Sequence, residues 1–116
     1  MARPLRIQHP EAWYHVIGRG IERRRLFQRD RDCEHFLGLL NKFSERYACR
    51  ISAYVLMPNH FHLFVQTMEG NPSRAVQWLT TAYAAWFNTV HNRSGHLFQG
   101  RFNGTWVLGV VRPNGG

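Results

Sequence analysis

Pro58-Asn59-His60-Phe61-His62-Leu63-Phe64-Val65 reads as a turn followed by a buried strand, and the fold follows from how its side chains divide between two faces. Side chains alternate along a strand, so Phe61, Leu63 and Val65 point one way, toward a core, while His60, His62 and Phe64 point the other. Two imidazoles then stand side by side on the second face. They can grip one divalent cation, since imidazole is a common ligand for transition metals, or they can be half-exposed strand residues with no special role.

Outward from this stretch, Arg50 to Met57 is rich in apolar and β-branched types and reads as the preceding strand. Pro58-Asn59 supplies the turn chemistry that joins the two as a hairpin. On the C-terminal side, Glu69-Gly70-Asn71-Pro72 opens a helix over about 72 to 91, with Val76, Leu79, Tyr83, Trp86 and Val90 as its inner face. On the N-terminal side, Asp30 or Asp32 caps a helix running to about Tyr47. There Phe36, Leu40, Phe43 and Tyr47 recur at spacings of four, three and four.

Residues 12 to 19 read as a first strand, with His15 on its Trp13 and Ile17 side. His15 reaches the paired histidines if the two strands are neighbours, and is otherwise a packed structural histidine. A polar, proline-broken arm carrying Arg3 and Arg6 precedes this strand, and Leu97 to Phe102 begins a fourth strand continuing through Trp106 to Val111. The order β-α-β-β-α-β predicts an α+β, ferredoxin-like fold: a four-stranded antiparallel sheet with two helices on one face. Its first and third strands would be adjacent, with His60 and His62 on the face away from the helices.

Composition narrows the partners. Fifteen basic residues against seven acidic ones give a formal charge of +8, and every basic residue but Lys42 is arginine, whose planar fork suits phosphate. Four of them crowd Gly18-Arg19-Gly20-Ile21-Glu22-Arg23-Arg24-Arg25. Such a cluster either repels itself in solvent or meets an anion, and a nucleic-acid backbone is the obvious one. Cys33 and Cys49 form neither a CxxC pair nor a disulfide framework, and no apolar leader follows Met1, which fits a reducing cytoplasm. No apolar run approaches the roughly 18 residues of a membrane helix. At 116 residues the chain is expected to be one domain.

Three segments together carry a family resemblance. Tyr54 to Leu63, centred on His60-Phe61-His62, is similar to the HUH motif (histidine, bulky hydrophobic, histidine) in the setting found in REP-associated tyrosine transposases, the single-tyrosine HUH family. Trp13-Tyr14-His15-Val16-Ile17-Gly18-Arg19-Gly20 and Gly95-His96-Leu97-Phe98-Gln99-Gly100-Arg101-Phe102 fit the same family in its order and spacing. The resemblance implies metal-assisted cleavage and rejoining of single-stranded DNA beside a hairpin, through a covalent phosphotyrosine. It makes His60 and His62 the ligands of a divalent metal, magnesium or manganese. The basic cluster makes Arg19, Arg23, Arg24 and Arg25, with Arg101, the expected DNA contacts, and a homodimer is left open, since the oligomeric state is not readable from the chain.

One departure from the pattern bears on catalysis. The family carries its tyrosine on a helix after the Gly-His-Leu-Phe-Gln-Gly-Arg-Phe segment, whereas Asn103 to Gly116 contains no tyrosine and is too glycine-rich for a helix. The catalytic helix is therefore expected to be missing after about residue 102. The tyrosines present, Tyr14, Tyr47, Tyr54 and Tyr83, read as packing or strand residues, and Gln66 and Gln99 are candidate substitute ligands. The expected function is a transposase-like protein acting on single-stranded or hairpin DNA. The alternatives are an inactive remnant that only binds DNA, or an RNA-binding domain with an incidental histidine pair.

Overall fold

The computed structural model describes residues 13–67 and 72–99, and the backbone of 105–111. The elements run β1 (Trp13–Arg19), α1 (Asp30–Tyr47), β2 (Cys49–Met57), β3 (His60–Thr67), α2 (Ser73–Val90) and β4 (Thr105–Val111), with a 3-10 turn at Ile21–Arg23. The hairpin predicted around Pro58-Asn59 forms, with Met57 opposite His60. β3 also pairs antiparallel with β1, Arg19 opposite His60 and Trp13 opposite Gln66, so it lies between β1 and β2.

Alternation on β3 sorts its residues strictly. Phe61, Leu63 and Val65 are 0% exposed beneath the helices, while His60, His62, Phe64 and Gln66 are half-buried on the other face. The core beneath joins them to Val16 of β1, Phe36, Leu40 and Phe43 of α1, and Val76, Leu79, Tyr83 and Phe87 of α2. Each such side chain, fully buried, contributes on the order of 1.5–3 kcal/mol relative to exposure. α1 starts where Asp32 turns back: its Oδ2 accepts from the backbone N–H of Gln28 at 2.9 Å and of Arg29 at 3.1 Å, satisfying two donors at the helix entry. Ala48, in the left-handed conformation with φ 51°, ends the helix and hands the chain to β2.

The four-stranded ferredoxin-like sheet is corrected on one point of packing. Leu97 and Phe98, expected to begin the fourth strand, lie outside it: β4 spans only Thr105–Val111, and these two consecutive residues are both buried, at 1% and 3% exposure. They plug the end of the core instead: Phe98 lies edge-on to Phe61, and a single bridge, Gly20 to Phe98, ties the segment to the end of β1. The core and the histidine face thus rest on a three-stranded antiparallel sheet, β1-β3-β2, carrying two helices in an α+β fold. β4 follows the outer edge of β1 by backbone pairing, with a register shift between Tyr14 and Val16. The arm with Arg3 and Arg6 lies outside the described residues, as does Arg101.

Candidate metal and nucleic-acid site

The face of the sheet away from the helices brings three histidines together. His60 and His62 sit two residues apart on β3, with ring centroids 5.1 Å apart and ring planes at 79°. From the neighbouring strand His15 stacks on Phe64, its cross-strand partner, at 4.7 Å and 17°. It also reaches diagonally to His62, where His15 Nε2 and His62 Nδ1 are hydrogen-bonded at 2.9 Å. His60 Nδ1 is hydrogen-bonded at 2.9 Å to Asn59 Oδ1, from the turn just before it. Burial, then the nearby His15, His60 and Arg19, hold His62 below the usual histidine range and so favour its neutral, ligand-competent form.

The two imidazoles are donors of a type a divalent ion accepts: each ring has its Nδ1 tied to a neighbouring side chain, and no hydrogen bond among the described residues uses either Nε2. Among those residues, however, no group of three or more His, Cys, Asp or Glu side chains is arranged to hold a metal. His15 stands behind His62 as a hydrogen-bond partner. Gln66 shares the face but lies four residues along β3 from His62, about 13 Å at the strand rise, too far to meet the same ion. Gln99 donates its backbone N–H to Arg19 O at 2.8 Å, which puts it at the His60 end of the face.

The basic loop is pinned to that same end. Gly20 N–H donates to Asn59 O at 2.9 Å, and Leu26 N–H and Phe27 N–H donate to Pro58 O at 2.6 and 3.2 Å, so the loop closes over the turn that introduces His60. Gly20 is required there, because a Cβ would stand 2.0 Å from Arg24 O. Glu22 and Arg23 both take the left-handed backbone region, at φ 51° and 62°, a strained choice for residues with side chains. The result is that Arg19, Arg23, Arg24 and Arg25 are all exposed. Arg93, which the sequence did not single out, joins them electrostatically. Burial and then the neighbouring Arg24 lower its pKa, and its guanidinium is held by Asn88 Oδ1 at 2.8 Å and His96 O at 3.0 Å.

The tyrosines lie elsewhere. Tyr14 and Tyr54 pair with Val65 and Leu63, on the helix side of the sheet. Tyr47 packs against Phe43 and Trp78 between the helices. Tyr83 is fully buried, and its O–H donates to Leu26 O at 2.5 Å; burial first, then Asp32 and Cys33, push its hydroxyl far above the ordinary tyrosine range. None is presented to the histidine face, whereas Val55 and Met57, 48% and 42% exposed, stand on it level with His62 and His60.

Residues 8–109 match the family model described as Transposase IS200 like. Among solved structures, the chain is similar to a REP-associated tyrosine transposase bound to a REP hairpin, at 16% identity and a TM-score of 0.69. That alignment covers 97% of this chain and 63% of the other, so the chain spans less than two thirds of that relative's length. It is also similar to a protein of Deinococcus radiodurans R1 assigned as a transposase, at 18% identity and a TM-score of 0.67, covering 98% of this chain and 89% of that one. At such identities the likeness speaks for the fold. A search of curated proteins finds no match.

Proposed function

The chain belongs to the IS200-like transposase family, and from that premise we propose that it binds single-stranded or hairpin DNA across its histidine face, with His60 and His62 holding a divalent cation at a backbone phosphate. The observation that carries this reading is the coincidence of two neighbouring imidazoles, each with Nδ1 engaged, and an exposed arginine loop hydrogen-bonded to the turn beside them. A metal cofactor goes with the family in general terms, and magnesium or manganese is the proposed ion here. When bound, it would polarise a phosphate and offset charge developing on its oxygens. Arg19, Arg23, Arg24 and Arg25, with Arg101, neutralise flanking phosphates, and exposed Val55 and Met57 offer bases an apolar surface.

With all four tyrosines of the sequence on the helix side, a phosphotyrosine step needs a nucleophile from another segment or another chain. A nucleophile must come within about 3–3.5 Å of the reacting atom, in line, and tyrosines on the opposite side of the sheet cannot. The proposed activity of this chain by itself is thus metal and DNA binding without covalent cleavage. Free thiols at Cys33 and Cys49 favour a cytoplasmic setting, and none of the described helices is long and apolar enough to cross a membrane. The exposed outer strand β2 favours pairing with a second copy, as a homodimer.

The test is twofold. Manganese titration followed by electron paramagnetic resonance should show binding that a His60→Ala, His62→Ala variant loses; equal binding by both proteins would sink the metal site. A labelled DNA hairpin with a single-stranded flank should bind more tightly than random single strand, heparin or an RNA hairpin. Indifference among these competitors would leave only a basic surface, and preference for RNA would favour the RNA-binding alternative.

A further inference from the structure

The two histidines proposed as ligands can serve one ion only if each turns outward a ring nitrogen whose lone pair is exposed, and with both Nδ1 atoms hydrogen-bonded that nitrogen is Nε2 in each. A neutral imidazole carries one N–H, and the group hydrogen-bonded to one nitrogen decides which nitrogen that is. At His60 the decision is forced by chemistry. Asn59 Oδ1 can only accept, so the 2.9 Å bond requires the proton on His60 Nδ1 and leaves the lone pair on Nε2. At His62 the partner is another imidazole, His15, and the 2.9 Å bond between His15 Nε2 and His62 Nδ1 can run either way. Were His15 the donor, His62 would carry its proton on Nε2 and could not ligate beside His60.

We propose that His15 and Asn59 are positioning residues, each accepting a hydrogen bond from a ring Nδ1–H, so that His62 and His60 present their Nε2 lone pairs together on the open face. His15 is well placed for this role. Its ring is fixed by stacking on Phe64, and the antiparallel register of β1 and β3 brings it diagonally onto His62. Asn59 is fixed by its backbone, whose carbonyl accepts from Gly20 N–H, so the loop that carries the arginines also steadies the orienting side chain of His60. Partners of this kind orient a ligating imidazole and raise its basicity, and their loss typically costs about 10- to 100-fold in metal affinity.

This inference rests on the metal reading, and the experiment separates the two. Long-range 1H–15N correlation spectra of the metal-free protein, above the imidazole titration range, report each ring's tautomer directly. Both His60 and His62 should carry the proton on Nδ1; a proton on His62 Nε2 overturns the assignment. His15→Phe keeps a flat ring over Phe64 and removes the acceptor. It should shift His62 toward the other tautomer and weaken manganese binding by about 10-fold or more, and His15→Gln, which restores an acceptor, should recover most of both. Asn59→Ala and Asn59→Asp form the matching pair for His60. A His15→Phe protein that keeps the wild-type tautomers and manganese affinity would refute the positioning role. A wild type that binds no manganese would instead defeat the metal reading, and with it the purpose assigned to these two residues, whatever their tautomers.

Discussion

Replacing Gly18 by alanine tests the link between core and site at its narrowest point. Gly18 lies opposite Phe61 in the β1–β3 register, and a Cβ built on it would stand 2.3 Å from Phe61 Cε2 and 2.4 Å from Cζ. Normal carbon–carbon contact is about 3.5–4.0 Å, so the ring must withdraw by more than an ångström. It has nowhere to go: Phe61 is 0% exposed, with Phe36 at 4.9 Å and Phe98 at 6.0 Å between ring centroids. Overpacking of this kind costs roughly 1–3 kcal/mol. At about 4–8 °C per kcal/mol for a domain near this size, the melting temperature of Gly18→Ala should fall by roughly 5–20 °C. Because Phe61 is flanked by His60 and His62, the variant should also weaken manganese binding beyond what its unfolded fraction explains. The assay is thermal unfolding by circular dichroism alongside manganese titration at a temperature where the variant is folded. Shortening the obstructing ring, in Gly18→Ala with Phe61→Leu, should return part of the lost stability. A single variant as stable as the wild type, or a double variant less stable than either single one, would refute the reasoning.

Three further outcomes are expected. Asp32 is fully buried; burial acts to raise its pKa, but hydrogen bonds from His91 and from the Gln28 and Arg29 amides outweigh this and hold it below its ordinary 3.8. A depressed carboxylate contributes stability above its unfolded pKa and loses it as pH falls through the folded value. Wild-type stability should therefore drop in acid below about pH 4, and Asp32→Asn should flatten that limb while lowering stability at pH 7 by about 2 kcal/mol, read by denaturant titration across pH. Tyr83→Phe removes the O–H that satisfies Leu26 O in the core and should cost about 1–3 kcal/mol by the same measurement, with DNA affinity in the folded protein unchanged. Exchanging Arg23, Arg24 and Arg25 for glutamine should reduce the salt slope of single-strand DNA binding by about 0.7 for each phosphate no longer neutralised; an unchanged slope would remove this loop from the interface.

What the sequence made legible is what depends on local period. Phe61, Leu63 and Val65 announce a strand because alternation needs only neighbours in the chain, and Phe36, Leu40 and Phe43 announce a helix face for the same reason. The pair His60 and His62 falls in this class, since two residues on one strand share a face whatever the rest of the fold does. Leu97 and Phe98 misled because an apolar pair looks the same as the start of a strand or as a plug. Only the position of Phe61 and Tyr83, far away in sequence, decides which it is.

The orientation of His62 belongs to the illegible class for a deeper reason. The His15–His62 bond joins residues 47 positions apart and exists only in one strand register. A slip of β1 by one residue would turn His15 into the core and bring Tyr14 or Val16 to the histidine face. That register is held from the opposite side of the sheet, where Val16 and Gly18 meet Leu63 and Phe61 at the core. The chemistry proposed for the open face is therefore set by packing on the hidden one: the room left by Gly18 admits the Phe61 ring, the ring keeps β1 in register, and the register delivers His15 to His62. The proposed metal site, whose two candidate ligands can be read from three consecutive residues, thus depends, for the direction those side chains point, on a glycine and a histidine from a strand some 45 residues earlier in the chain.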